Sequence, residues 1–309
     1  MRDRQPEAEA SGEMFRKGSN EDRSHPGCLF WTWRQFRLRT VWGQSRPKHR
    51  VIDKKKQFYR RWQRQYLRGL RSVRAQFERC RKTGDAEAVH ELRVAIRRTR
   101  LLALIGRAVI GRRRALEFRA WAQAAADALS PVRDYDVMIE WASGLRDDGV
   151  FAAGLRKERQ SAWRAARKGL KELPQGQWRE LRQLKNRPGK RRKLIARYEK
   201  ISAATREVIE VDARCFDRLN SAGRHDLRRA VRRFKYLEEL KTKPHRLEEL
   251  GKLQGGLGEL QNAQAMKGLL QDGIRLSGRK HALMRQVKRH ESQWYPRCRR
   301  SIRGVANLR

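Results

Sequence analysis

Residues 89–102 read VHELRVAIRRTRLL, and residues 224–237 read RHDLRRAVRRFKYL. Both stretches place His, Leu, Arg, Ala, Arg, Arg and Leu at the same relative positions, so the chain contains an internal repeat. At 3.6 residues per helical turn, the histidine and three cations of each copy fall on one stripe about 80° wide. The two stripes are His90, Arg93, Arg97 and Arg100 in the first copy, and His225, Arg228, Arg232 and Lys235 in the second.

Apolar residues occupy the opposite side of each helix. They are Leu92, Ala95, Ile96, Leu102 and Ala103 in the first copy, and Leu227, Ala230, Val231 and Leu237 in the second. We expect each helix to pack through this side and to present its cations on the other. Like charges three and four residues apart destabilise a helix by a few tenths of a kcal/mol per pair. The stripes therefore favour an anionic ligand, and an ordinary solvated basic surface is the alternative.

Two further arginines lie outside the stripes. Arg98 and Arg233 project beside Glu91 and Asp226 of their own helices, so we expect intrahelical pairing or packing for them.

Composition narrows the class of partner. The formal net charge is +42, from 76 Lys and Arg against 34 Asp and Glu, which is far more than solubility requires. Self-repulsion on this scale favours a polyanionic partner, such as nucleic acid, an anionic membrane or an inorganic polyanion. With 309 residues and 39% hydrophobic content, the chain is long enough to bury a substantial core.

The chain divides into an extension and two helical halves. Residues 1–50 are polar and rich in helix breakers at first, and we expect a disordered N-terminal extension. Helical periodicity then predicts a domain over 51–305, with a first half at about 52–173, a connector at 174–192 and a second half at about 193–305. Gly84 and Asp85 should end one helix and cap the next, and Ser130-Pro131 should kink or divide another. No segment shows convincing strand-like alternation.

The sequence contains few residue patterns that would support catalysis or metal binding. HELRV begins like H-E-x-x-H, but no second histidine follows at the required spacing, and neighbouring arginines would repel a cation. We expect no metal, no cofactor and no catalytic residue, because no nucleophile or carboxylate cluster accompanies the histidines. Four scattered cysteines, no apolar run of membrane-spanning length and no secretory signal favour a cytoplasmic protein.

A family resemblance joins these features. VHELRVAIRRTR followed by LSPVRDYDV, and then HDLRRAVRRFKYLEEL followed by LGELQ, resembles the CHAD family, the conserved histidine α-helical domain. The resemblance covers roughly residues 52–305. It implies an all-α fold of two four-helix bundles related by internal pseudo-twofold duplication, with a basic groove or pore between them. It also implies non-catalytic binding of inorganic polyphosphate and association with polyphosphate granules.

The resemblance also carries roles for individual residues. The eight stripe residues would bind polyphosphate, with Lys235 replacing the commoner arginine. Further contacts are expected from cations of the kink and of the helices that end each half: Arg133, Lys157, Arg164, Lys168, Arg285, Lys288 and Arg289. Asp134, Asp136 and Asn262 would orient arginines, although Gln261, Asn262 and Gln264 replace Arg, Asp and Asp in the second copy.

Other functions remain open at this point. CHAD relatives are often fused to a CYTH triphosphatase with an E-x-E-x-K motif, but this sequence contains neither that motif nor a P-loop, as expected of a stand-alone binding module. A nonspecific nucleic-acid-binding protein that contacts DNA or RNA backbones is the main alternative, although few aromatic residues accompany the stripes. A metal-binding or phosphoanhydride-processing enzyme is the lesser one.

Overall fold

The computed structural model describes residues 48–144, 149–241, 244–271 and 280–306. This part of the chain consists of helices and short connections and contains no strand, and it belongs to one compact unit over 46–309. The predicted N-terminal extension over 1–50 lies almost entirely outside the described residues. The helices are α1 (Lys48–Thr83), α2 (Ala86–Ile110), α3 (Arg112–Ala128), α4 (Ser130–Ser143), α5 (Val150–Glu172), α6 (Trp178–Leu181), α7 (Pro188–Arg214), α8 (Ser221–Glu238), α9 (Pro244–Gln271) and α10 (Lys280–Ala306).

Helix α1 packs through an aromatic side. Trp62, Tyr66 and Phe77 are fully buried, and the Trp62 indole donates a hydrogen bond to the Leu102 carbonyl of α2 at 3.0 Å. A Cβ at Gly106 would overlap the Trp62 ring, so glycine at this position of α2 lets the two helices approach closely. The aromatic periodicity of α1 thus fixes the position of the helix that carries the first stripe.

The turn between α1 and α2 follows the sequence prediction. Gly84 adopts a left-handed conformation with φ of 63°, and a side chain there would overlap Trp163 of α5. Asp85 caps α2 by accepting a hydrogen bond from the Ala88 amide at 2.6 Å, which satisfies a donor that the first helical turn leaves free. Both residues therefore play the roles that their order in the sequence predicts.

The Ser130-Pro131 step divides the third predicted helix into α3 and α4. Leu129 ends α3, its amide bonded to the Ala125 carbonyl, and α4 starts with Pro131 in its first turn, where a missing amide costs little. The second half differs, because α9 continues unbroken through the corresponding LGELQNAQ.

The connector is shorter than the sequence predicts. It contains the single turn of α6, and α7 already begins at Pro188, whereas the sequence places the start of the second half at about 193. Proline is favoured in the first turn of a helix, which explains the earlier start.

Two groups of buried residues hold the helices together. The larger group draws residues from all ten helices, and includes Leu92 and Leu227 beneath the two stripes. The smaller group joins α4 and α5 with α9 and α10, through residues such as Met138, Phe151 and Met266. Residues from both sequence halves thus share a core, and α2 contacts both α7 and α8.

Candidate functional site

Helices α2 and α8 pack through the apolar sides that the repeat predicts. Leu92, Ala95, Ile96, Leu102 and Ala103 of α2 are buried, and so are Leu227, Ala230, Val231 and Leu237 of α8. The stripe residues on the other sides are half-buried. The interpretation of one packed side and one cationic side per helix is therefore confirmed.

Three arginines from the two helices lie within electrostatic range of one another. Burial, together with the charges of Arg97 and Arg228, lowers the pKa of Arg232 to about 10. Burial likewise lowers the pKa of Arg228, and Arg97 adds to that effect. We call Arg97, Arg228 and Arg232 the arginine cluster. It joins one cation of the first copy with two of the second.

Hydrogen-bond donors in this region lack acceptors. The buried Nε atoms of Arg93, Arg97 and Arg228 have no hydrogen-bond partner among the described residues. An unsatisfied buried donor costs roughly 1–3 kcal/mol, and more when it is charged. The same holds for Arg197 and Arg206 of α7, so what distinguishes the cluster is the convergence of its cations. An anion would supply both the missing acceptors and the missing negative charge.

Tyr236 lies at the point where the cluster meets α2. Its hydroxyl is in hydrogen-bonding contact with Arg97, and the Arg98 guanidinium stands over its ring at 5.1 Å. Arg98 also pairs with Glu239 at 3.2 Å, so of the two expected roles the pairing with Glu91 inside α2 is wrong, and packing describes its contact with the Tyr236 ring. The sequence gives no direct signal for this role of Tyr236, because its partners lie across a helix crossing.

His90 and His225 occupy the same position of the sequence repeat, and their neighbours also occupy matching positions. Burial lowers the pKa of His90, Arg133 and Arg97 lower it further, and Glu91 and Glu87 oppose them. His225 lies with Nδ1 3.1 Å from Gln261 Oε1. Arg133 and Gln261 occupy the same position of their sequence repeats, LSPVR and LGELQ. Each histidine therefore lies beside the same position of the repeat. That position is the cationic Arg133 in the first copy and the neutral Gln261 in the second.

Small residues of α9 leave room for the second stripe. A Cβ at Gly258 would lie 3.4 Å from Arg228 Nη2, and one at Gly251 would lie 3.7 Å from Lys235 Nζ. In the first copy, Arg93 instead donates a hydrogen bond to the Ala126 carbonyl at 2.7 Å, one turn before the break between α3 and α4. The glycines of LGKLQGGLGELQ thus accommodate long cations.

Arg100 differs from the rest of its stripe. It donates a hydrogen bond to Gln123 of α3 at 2.6 Å, and its nearby charges are Arg119, Asp127, Arg229 and Arg233. Asp226 pairs with Arg229 at 3.3 Å rather than with Arg233.

The acidic residues of the first copy divide between two tasks. Burial raises the pKa of Asp134, while Arg93 and Arg133 act in the opposite direction, so this carboxyl lies among the stripe cations. Asp136 is buried and pairs with Arg159 Nε at 2.6 Å. Arg159 also donates to the Gly84 carbonyl at 2.8 Å. Asp136 therefore orients an arginine that ties α5 to the turn before α2.

A cleft of about 1040 Å³ lies beside the stripes, between α4 and the α9–α10 pair. The predicted residues Arg133, Asn262 and Arg289 all line it. His290 in its wall contacts Glu259 at 3.0 Å and the edge of Trp141 at 5.3 Å between ring centroids. Glu259 also lies within electrostatic range of Arg228, so the cleft adjoins the arginine cluster.

The remaining predicted contacts are more peripheral. Lys157, Arg164 and Lys168 are exposed on the side of α5 opposite its buried residues, and Arg285 and Lys288 are exposed on α10. No contact joins them to the arginine cluster in the described part of the chain, and their role stays a prediction.

The fold and the site together define a helical scaffold that concentrates cations at a helix crossing. None of the described helices is long and apolar enough to cross a membrane. Within the same residues, no group of three or more His, Cys, Asp or Glu side chains could hold a metal ion.

Comparison with known proteins places this scaffold in a family. The family model of the CHAD domain matches residues 64–271, and the chain therefore belongs to the CHAD family. Among solved structures, the crystal structure of the CHAD domain from the plant Ricinus communis is similar, with a TM-score of 0.54 and 17% sequence identity. The match covers 81% of this chain and 91% of that one, and at this identity it shows the fold alone. No curated protein matches the chain. CHAD domains are associated in general with polyphosphate binding and are generally non-catalytic.

Proposed function

We propose that this protein binds inorganic polyphosphate, without catalysis, through the arginine cluster and the flanking stripe residues. The observation that carries the proposal is the convergence of Arg97, Arg228 and Arg232 on α2 and α8 with lowered pKa values, which the nearby charge of Glu259 opposes at Arg228 without restoring the ordinary pKa. A flexible chain with about one negative charge per phosphate can neutralise such a cluster and release its counterions. The general association of CHAD domains with polyphosphate supports the choice of ligand.

The ligand path follows from the neighbours of the cluster. His90, Arg93 and Arg133 would extend the site on the first half, and His225 and Lys235 on the second. In this proposal the two halves are duplicated bundles and the ligand lies in a basic groove between them. The duplication is supported by the order in which the helices pack. In the first half α2 packs against α1 and α3, and in the second half α8 packs against α7 and α9. Binding would target the protein to polyphosphate granules in the cytoplasm.

The decisive experiment compares two triple variants of the full chain. Arg97→Ala, Arg228→Ala and Arg232→Ala together should weaken binding of long-chain polyphosphate by at least about a hundredfold, because three charge-assisted contacts are lost. The matched control is Arg60→Ala, Arg64→Ala and Arg68→Ala, which removes the same charge from an exposed stripe of α1. The control should lose only a few-fold in affinity, through the general field. Circular dichroism should show unchanged helicity in both variants.

Salt dependence and competition complete the test. The slope of log affinity against log salt should fall in magnitude by about one for each phosphate contact removed. Equal weakening in both triple variants would contradict a specific site and leave only general electrostatic attraction.

Polyphosphate should also displace tRNA and duplex DNA at physiological salt. If nucleic acid displaces polyphosphate instead, the protein is a nucleic-acid-binding protein and the proposal is wrong.

A further inference from the structure

A second basic pocket lies away from the arginine cluster, between α1 and α6, with a volume of about 600 Å³. Four arginines line it in two pairs spaced three residues apart, Arg71 and Arg74 on α1, and Arg179 on α6 with Arg182 directly after it. No acidic residue lines this pocket, and none of the four arginines forms an ion pair with a described residue. Neighbouring like charges destabilise the fold slightly, so their convergence on one concave surface indicates an anionic ligand.

The floor of this pocket is apolar, unlike a site built only for phosphate. Leu67, Leu70 and Trp178 line it beneath the arginines. Trp178 is held rigidly, because its ring packs edge-on against Trp121 at 4.9 Å between centroids. A ligand that was charged along its whole length would lose hydration against this floor without compensation. A ligand with a flat apolar body and a charged end would satisfy both parts of the pocket.

The position of α6 is fixed by contacts that leave its arginines available. Arg114 Nη1 donates hydrogen bonds to the carbonyls of Glu180 and Gln183, at 2.6 and 3.1 Å. The Tyr66 hydroxyl donates to the Leu181 carbonyl at 3.2 Å. The backbone of a four-residue helix is thus tied to α1 and α3, while the four arginines above it are exposed and available to a ligand. Gln183 lines it as well and offers an amide to a polar edge of a ligand.

From these features we propose that the α1–α6 pocket binds a nucleotide, with its phosphates on the arginines and its base on the apolar floor. The volume lies within the roughly 300–1,000 Å³ typical of small-molecule sites. Guanidinium groups bind phosphate oxygens in bidentate fashion, and an aliphatic or aromatic surface is favourable for a purine ring. This site shares no residue with the arginine cluster, so it does not depend on polyphosphate binding there.

The test uses ATP and inorganic tripolyphosphate, which share a triphosphate but differ in the nucleoside. Both are titrated calorimetrically into the full chain carrying Arg97→Ala, Arg228→Ala and Arg232→Ala, so that the cluster does not contribute. ATP should bind at least about tenfold more tightly than tripolyphosphate, because only ATP uses the apolar floor. Adding Arg71→Ala, Arg74→Ala and Arg182→Ala should weaken ATP binding by at least about tenfold. Adding the exposed control substitutions Arg60→Ala, Arg64→Ala and Arg68→Ala should leave ATP binding within a few-fold.

A floor variant separates the two halves of the proposed ligand. Leu67 is only half-buried, and Leu67→Ser should weaken ATP binding several-fold while leaving tripolyphosphate binding unchanged. Equal affinity for the two ligands, no ATP binding, or equal losses in the pocket and control variants would each overturn the proposal. In an otherwise wild-type chain, the pocket variant should still bind long-chain polyphosphate, so failure here leaves the proposed function standing.

Discussion

Arg232 should destabilise the protein in the absence of an anion, and this can be measured. Burial and the charges of Arg97 and Arg228 lower its pKa from 12.5 to about 10. At about 1.36 kcal/mol per pKa unit, this shift corresponds to an upper bound of about 3.4 kcal/mol for holding the charged form in the folded state. Relaxation of the long side chain and residual solvent reduce that figure. We therefore expect a cost of about 1–3 kcal/mol at neutral pH.

The substitution Arg232→Met removes the charge and keeps most of the apolar stem. In chloride buffer without phosphate, the variant should be more stable than the wild type by about 1–3 kcal/mol, because an uncompensated buried charge is replaced by an apolar group. The sign follows from the pKa. A base whose pKa is lowered by folding costs stability at every pH below its folded pKa, and the cost is relieved only as the pH rises through about 10.

Urea denaturation followed by circular dichroism gives the change in the free energy of unfolding, and thermal denaturation provides an independent check. Arg60→Met on the exposed surface of α1 is the control and should change stability by less than about 0.5 kcal/mol. Saturating polyphosphate should stabilise the wild type more than Arg232→Met, and so reduce or reverse the difference. A ligand-free Arg232→Met protein that is less stable than the wild type would refute the reasoning, because Arg232 would then be satisfied within the fold.

Two further predictions concern the residues beside the cluster. Bound polyphosphate should raise the lowered pKa of His90, so affinity should increase as the pH falls from 8 to 6. This added affinity should be lost as the pH rises through the bound-state pKa, and fluorescence titrations should show a flatter profile for His90→Gln. A pH profile unchanged by that substitution would contradict the role of His90. Tyr236→Phe removes the contact with Arg97 and should weaken polyphosphate binding several-fold in the same titration, with an unchanged melting temperature. A large fall in melting temperature would instead assign Tyr236 to the core.

The sequence predicts most of the fold because its signals are local. Gly84, Asp85 and Ser130-Pro131 act on the backbone beside them, and each ends, caps or divides a helix as expected. The start of α7 at Pro188 is missed, because the prediction gives the breakers of the connector more weight than the preference of proline for the first turn of a helix. The match of the CHAD family model to residues 64–271 confirms the resemblance that the motifs indicate.

The contacts of the site were less predictable because they cross between helices. Arg98 has an acidic neighbour in its own helix, yet it pairs with Glu239 of another segment. The central place of Tyr236 follows from the packing of α8 against α2, which no spacing in the sequence encodes. Similarly, Asp136 holds Arg159 rather than a stripe cation, because α5 packs across α4.

The shared core of α4, α5, α9 and α10 has a consequence for synthesis on the ribosome. Met138, Phe151 and Leu155 are buried partly by residues that follow more than a hundred positions later, such as Met266 and Leu283. A nascent chain that ends in the connector therefore exposes apolar side chains whose burial is completed only when the last two helices emerge. Chaperone engagement should be strongest in that interval, and two fragments divided at the connector should recover the native fold only when combined.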